Sequence, residues 1–272
     1  MEHSSDPNNS YLPEQIKKIL NSRWLGHTIH HYQQLDSTNL TAMELAQQGA
    51  PEGTAVLADQ QLRGRGRGSR SWHSPPGVGV YCSIIFRPKF LPSMAQLITL
   101  MTAVAVARAV SLKTSLSPQI KWPNDILVNE KKVGGILSEA EASSSGIKHV
   151  VVGIGINVNH TSTDLPEELL SGASSLRLEL GEPVERVALT AQLFVELESL
   201  YEKLQQEGSA IILEQWRSLS ATLGRRVRVI QKDKLVEGIA VDVTEEGALL
   251  LREEKDSLTV VHAGEVRHLR TP

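Results

Sequence analysis

The chain has 272 residues, 40% of them hydrophobic and 22% charged, with a formal net charge of −3. That balance is globular and gives no global attraction to nucleic acid or to an anionic membrane. Its single cysteine, Cys82, excludes an intrachain disulfide framework and favours a reducing compartment.

The opening "MEHSSDPNNS" has neither a basic start nor an apolar run, so no signal peptide and a cytoplasmic protein are expected. "LDSTNLTAMELAQQGAPEG" predicts a capped helix: Ser37 or Thr38 can cap it, Leu40, Met43 and Ala46 recur near helical spacing, and Gly49 with Pro51 ends it. "TAVLADQQ" reads as a buried strand and "GVYCSIIFRP" as another, so the segment "LRGRGRGSRSWHSPPG" between them joins two core elements. A long helix is expected from about Ser93 to Leu112, where Gln96 and Arg108 favour a core helix over a membrane span. "QIKWPNDILVN" then reads as strand-like, "NEKK" as a turn and "VGGILSEAEA" as a strand. "KHVVVGIGINVN" is a near-continuous apolar run, which suggests a strand buried on both faces. The pattern turns helical from about Arg186 to Ala221. Beyond Gly224, "RRVRVIQ", "KLVEGIAVDVT", "GALLLRE" and "LTVVHAGEVRHL" predict the short strands of a small barrel.

Positive charge is local. Arg63, Arg65, Arg67 and Arg70 fall within eight positions, interleaved with Gly64, Gly66 and Gly68. Glycine lets backbone N–H groups approach an anion, and arginine supplies forked donors that match phosphate or carboxylate. Neither a Walker loop nor a dinucleotide fingerprint fits the spacing. A flexible RNA-binding arginine-glycine segment is the competing reading, but Trp72 and "SPPG" anchor this one directly before a core strand.

Three further clusters stand out. In "KWPNDI", Lys121 can meet a carboxylate or phosphate or be a solvated surface group, while Asn124 and Asp125 can cap a turn or help hold Mg²⁺ beside nucleotide phosphates. In "GIGINVN", Gly153 and Gly155 mark a bulge, a crowded helix contact or a place where another backbone or a ligand comes close to the strand, with Asn157 and Asn159 on one side at period two. "DSTN" offers Ser37, Thr38 and Asn39 at a helix start. Capping can explain the first two, but it does not explain Gln61 beside the loop. The scattered histidines lack zinc-ligand spacing.

Taken in order, "DSTN", the GRGR segment, "W-H-SPPG-V-GVYCS", "KWPNDI", "KVGGIL" and "GIGINVN" resemble the biotin protein ligases, also called biotin–(acetyl-CoA-carboxylase) ligases. The likeness runs from about Leu35 to Asn159, and the terminal barrel resembles the family's SH3-like domain. It implies an α+β fold: a mixed β-sheet flanked by helices, related to the class II aminoacyl-tRNA synthetase catalytic fold, with a small C-terminal SH3-like β-barrel. The expected division is a short extension over 1–24, a catalytic domain over 25–222 and the SH3-like domain over 223–272.

The resemblance also implies the reaction. Biotin, the substrate, and ATP with Mg²⁺ give biotinyl-5′-AMP, and a lysine of a biotin carboxyl carrier domain then takes the biotinyl group. Arg67 and Lys121 match the family's catalytic cations. Ser37, Thr38, Asn39, Gln61, Gly64, Arg65, Arg67, Tyr81, Lys121, Gly153 and Gly155 are implied at biotin. At ATP the implied residues are Arg67, Arg70, Trp72, Lys121, Asn124 and Asn157, with Asp125 as the candidate metal ligand. Leu62, Arg63 and the Gly68-Ser69-Arg70 run depart from the family's loop pattern. About thirty residues precede "LDSTN", against some sixty in the winged helix of members that repress their own genes, so no DNA binding is expected. No membrane partner is expected either. The family includes monomers and homodimers paired through the catalytic sheet, and a lipoate or octanoate transferase is the nearest rival because it shares the fold.

Overall fold

In the computed structural model, which describes residues 13–90, 92–143, 146–231, 234–254 and 256–269, the predicted strands assemble into two sheets. The chain opens with α1 (Pro13–Ile19), β1 (Ile29–Leu35), α2 (Thr38–Gln47), β2 (Ala55–Gln61) and β3 (Gly79–Phe86). It continues through α3 (Ala95–Lys113), β4 (Gln119–Lys121), β5 (Asp125–Val128), β6 (Lys131–Ser143) and β7 (Gly146–Asn157). The first sheet has seven strands in the order β1-β2-β3-β7-β6-β5-β4. Only β1 and β2 are parallel, which makes the sheet mixed, as expected.

The apolar run of β3 is buried at every position because both faces of the sheet are covered. On one face, Ala42 and Ala46 of α2 pack on Val56, Ile85 and Val151. On the other lie α3 and the C-terminal helices α4 (Leu176–Leu180), α5 (Arg186–Glu207) and α6 (Ala210–Leu219), whose apolar residues merge into one core. α3 is long and apolar enough to cross a membrane, yet 72% of its most apolar window is buried inside the fold. Its apolarity is therefore that of a core helix, as Gln96 and Arg108 suggest.

Two turns position the site. Asn129 and Glu130 both have positive φ (49° and 64°), the conformation a two-residue type I′ hairpin requires, and they turn β5 into β6. Trp122-Pro123 is cis and turns β4 into β5. The second sheet comprises β8 (Arg226–Gln231), β9 (Lys234–Val243), β10 (Leu249–Arg252), β11 (Leu258–Val261) and β12 (Glu265–His268), all antiparallel in the order β11-β10-β9-β8-β12. Trp122 fastens it to the first: its indole is buried and Nε1 donates to Gly247 O at 3.1 Å. That contact brings Gly264 and Glu265 beside the arginine-glycine loop.

Candidate functional site

A cleft opens between the arginine-glycine loop and the face of β6 and β7. Glycines run along its floor. Gly135 pairs with Gly155 and Leu137 with Gly153 across β6 and β7. A Cβ on Gly155 would fall 2.5 Å from the Trp72 ring, one on Gly135 2.9 Å from the same ring, and one on Gly153 would overlap the Asn39 amide. Only glycine lets an indole and an amide sit this close to a strand, so Gly153 is crowded by the Asn39 side chain of α2 and Gly155 by Trp72, a close contact within the protein itself.

One end of the cleft is a hydrogen-bond network. Thr38 N and Oγ1 both donate to Gln61 Oε1, at 2.9 and 3.1 Å, and Gln61 Nε2 donates to Ser74 Oγ at 2.9 Å. Ser83 Oγ donates to Asn39 Oδ1 at 2.6 Å and lies 2.8 Å from Thr38 Oγ1. Asn39 Nδ2 reaches Leu137 O at 3.2 Å and Glu139 Oε2 at 2.9 Å. Ser37 occupies the N-cap of α2 with extended backbone, but its hydroxyl makes no capping bond. Capping therefore does not account for that side chain, which lines the cleft.

The other end is cationic. The arginine-glycine segment is an ordered hairpin: Arg65 bridges Ser71, Gly66 N donates to Arg70 O at 2.8 Å, and Trp72 N donates to Gly64 O at 2.8 Å. Gly68 takes the left-handed turn at its tip (φ +67°), which a side chain would strain. Arg65 Nη1 pairs with Glu139 at 3.0 Å. Arg67 Nη1 donates to two neutral oxygens, Asn124 Oδ1 at 3.4 Å and Gly264 O at 3.2 Å. Burial, then repulsion from Arg70, lowers the Arg67 pKa from its ordinary value against the pull of Asp125. A guanidinium so desolvated, with neutral hydrogen-bond partners, is a site for an incoming anion. Across the cleft Lys132 Nζ lies 2.6 Å from Asp125 Oδ1 and 5.3 Å from the centroid of the Trp72 ring. Asn124 is held by its own bond to Ile136 O, at 2.8 Å.

Most of the expected residues meet here: Ser37, Thr38, Asn39, Gln61, Arg65, Arg67, Arg70, Trp72, Asn124, Asp125, Gly153 and Gly155 all line the cleft. Lys121 does not. It sits across from Asp125 on β4, but it faces a neighbouring cleft against the second sheet, and Lys132 stands at the first cleft instead. Strict alternation hides this, because Lys132 and Gly135 are an odd number of residues apart and should face opposite ways. The register shift opposite Ile126 and Leu127 leaves Val133 without a pairing partner there and turns both to one side. Tyr81 is buried, its hydroxyl donating to Pro75 O at 3.1 Å and lying 3.1 Å from His160 Nε2, so it braces the "SPPG" segment outside the cleft. Asn157 is likewise buried and donates to Ser174 O at 2.9 Å. Gly64 contributes closeness, since a Cβ there would strike Trp72 O. Glu139 lies outside the quoted motifs, and Ser83 closes "GVYCS" without a role there that the sequence reveals. Only the pairing of β3 with β7 and of β7 with β6 brings them to Asn39.

Residues 31–157 match the biotin/lipoate A/B protein ligase family and residues 222–269 the biotin protein ligase C-terminal domain. The chain is 36% identical over 252 residues to the bifunctional ligase/repressor BirA of Bacillus subtilis, covering 93% of this chain and 77% of that protein. To the biotin–(acetyl-CoA-carboxylase) ligase of Mycobacterium tuberculosis it is 33% identical over 244 residues, 87% of each chain. Among solved structures, the biotin protein ligase of Aquifex aeolicus in complex with biotin and ATP superposes with a TM-score of 0.77 at 28% identity, covering 90% of this chain and 100% of that one.

Proposed function

The chain belongs to the biotin protein ligase family, and on that premise we propose that its cleft activates biotin with ATP as biotinyl-5′-AMP and passes the biotinyl group to a lysine of a biotin carboxyl carrier domain. The observation that carries this reading is the union, in one cleft, of a neutral hydrogen-bond network with a cluster of cations. A ureido ring has both N–H donors and a carbonyl acceptor, and Ser37, Thr38, Asn39 and Gln61 offer matching groups whose loss of water would otherwise be unfavourable.

The chemistry needs the cations. In the first step a carboxylate oxygen attacks the α-phosphorus of ATP and pyrophosphate departs. In the second an amine attacks the acyl carbon and AMP departs. Two anions must meet in the first step, so Arg67 and Lys132 are assigned to the carboxylate and α-phosphate, where preorganised charge lowers the barrier most. Arg65 adds a third cation on leaving Glu139. Trp72 and the hairpin cover the mixed anhydride and keep water from it, and Asn124 and Arg70 are assigned to the nucleotide side. Asp125 already holds Lys132, and among the described residues no group of three or more His, Cys, Asp or Glu side chains forms a metal cluster. Mg²⁺ would therefore be carried by nucleotide phosphates, with Asp125 as a single protein ligand, and would supply charge neutralisation there.

A cytoplasmic location and the absence of operator binding belong to the same proposal. The last of these is supported by the net charge of −3. Salt-dependent retention of a specific DNA fragment would remove it. The central test is ATP–pyrophosphate exchange with biotin, lipoate or octanoate supplied separately. Biotin alone should support exchange. Exchange with a fatty acid alone would move the chain to the lipoate branch, and none with any acid would end the reading.

A further inference from the structure

The neighbouring cleft that receives Lys121 shares a wall with the first, because Asp125 and Lys132 line both. It is open and lies between the β4–β5 edge of the catalytic sheet and the β8 and β12 strands of the second. Its other charged or titratable side chains are Lys121, Glu130, Arg225, Arg226 and His268.

The cations in it are not equivalent. Lys132 pairs with Asp125 at 2.6 Å, Arg225 with Glu130 at 3.0 Å and Arg226 with Glu254 at 2.7 Å. Lys121 has no ion pair within 4.0 Å among the described residues, although Asp125, Lys132, Glu265 and Arg267 all act on it electrostatically. Burial disfavours its charged form and lowers its pKa. Among the described residues His268 Nε2, buried in this wall, has no hydrogen-bond partner, and burial, then Lys121 and Arg225, pushes the imidazole down to about 4, so it adds no positive charge at neutral pH. A half-buried ammonium without an ion pair, beside two arginines, is a receptor for a compact, strongly charged anion.

We propose that this second cleft receives the inorganic pyrophosphate released by adenylation, with Lys121 as its principal cation. The proposal rests on the function assigned above. Displacement at phosphorus is in line, so the leaving group departs on the side opposite the attacking oxygen. With the carboxylate entering from the first cleft, past Lys132, the far side of the α-phosphorus faces the second. A bond forms from carboxylate oxygen to phosphorus as the bond from phosphorus to the α–β bridging oxygen breaks. The electron pair leaves on that oxygen, and the pyrophosphate gains negative charge that Lys121 meets.

The test is the pyrophosphate dependence of ATP–pyrophosphate exchange in the full chain, beside biotin affinity measured by calorimetry. For Lys121→Met the half-saturating concentration of inorganic pyrophosphate should rise about ten-fold, as expected when one charge-assisted contact is lost, with biotin affinity unchanged. Lys121→Arg should recover much of that shift, and Arg225→Gln should show a smaller one. An unchanged pyrophosphate dependence in Lys121→Met, or one that shifts in step with biotin affinity, would overturn the proposal and leave the ligase reading standing. Absence of biotin-dependent exchange in the unmodified protein would overturn both.

Discussion

Gly153→Ala probes how tightly the hydrogen-bond network is bound to the strand beneath it. The added methyl would occupy the position of the Asn39 amide oxygen, so the amide must move. Asn39 is 3% exposed and makes bonds to Ser83, Leu137 O and Glu139. At about 0.5–1.5 kcal/mol each, losing them lowers stability by roughly 2–4 kcal/mol. In a chain of this size that is a fall in Tm of about 5–10 °C. Asn39→Ala breaks the same bonds but leaves room for the methyl, so the double variant should be no less stable than Asn39→Ala alone. The two single effects should thus exceed the double by about 2 kcal/mol, which equilibrium urea unfolding of all four proteins can measure. Biotin affinity should fall in all three variants. Additive stabilities would refute the reasoning, because they would mean that the methyl and the amide do not compete for one space.

Removing the side chain of Arg67 (Arg67→Ala) should slow adenylate formation by about 10²–10³-fold in single-turnover assays, the usual effect of removing one preorganised donor to developing charge. Arg67→Lys should recover only part, since a lysine cannot bridge two oxygens as a fork does. Burial holds the His160 pKa at about 4, below its ordinary 6.5. Between those values the unfolded chain binds the proton more readily. Stability should therefore be full above pH 6.5 and fall as the pH drops toward 4, by up to ~1.4 kcal/mol per pH unit for this proton. His160→Gln should flatten that slope in pH-dependent thermal unfolding, and an unchanged slope would clear His160 of the effect. Cys82 is buried and its thiol is pushed up to about 12, so a disulfide reagent should label it only at the rate of unfolding.

Much of the fold is written locally. The apolar runs that become β3 and β7, the period of α2, and the turn residues Gly49, Asn129 and Glu130 each specify their element within a few positions. Twelve of the expected site residues meet in one cleft, and each lies in a short motif whose residues are close in sequence. Lys121 and Lys132 show the limit. Both precede strand motifs, both are plausible partners for an anion, and nothing within either motif ranks them.

The ranking comes from a single irregularity in pairing. The sequence alone determined which elements form, which segments carry charge and which family the motifs resemble, because those properties depend on neighbours along the chain. The tertiary structure decided which face each side chain takes. The shift at Val133 swings Lys132 onto Trp72, Ser83 and Glu139 reach Asn39 only across paired strands, and the second sheet brings Gly264 to Arg67. Such contacts join residues up to 197 positions apart, and they exist only once the hydrogen bonds between strands have set the register.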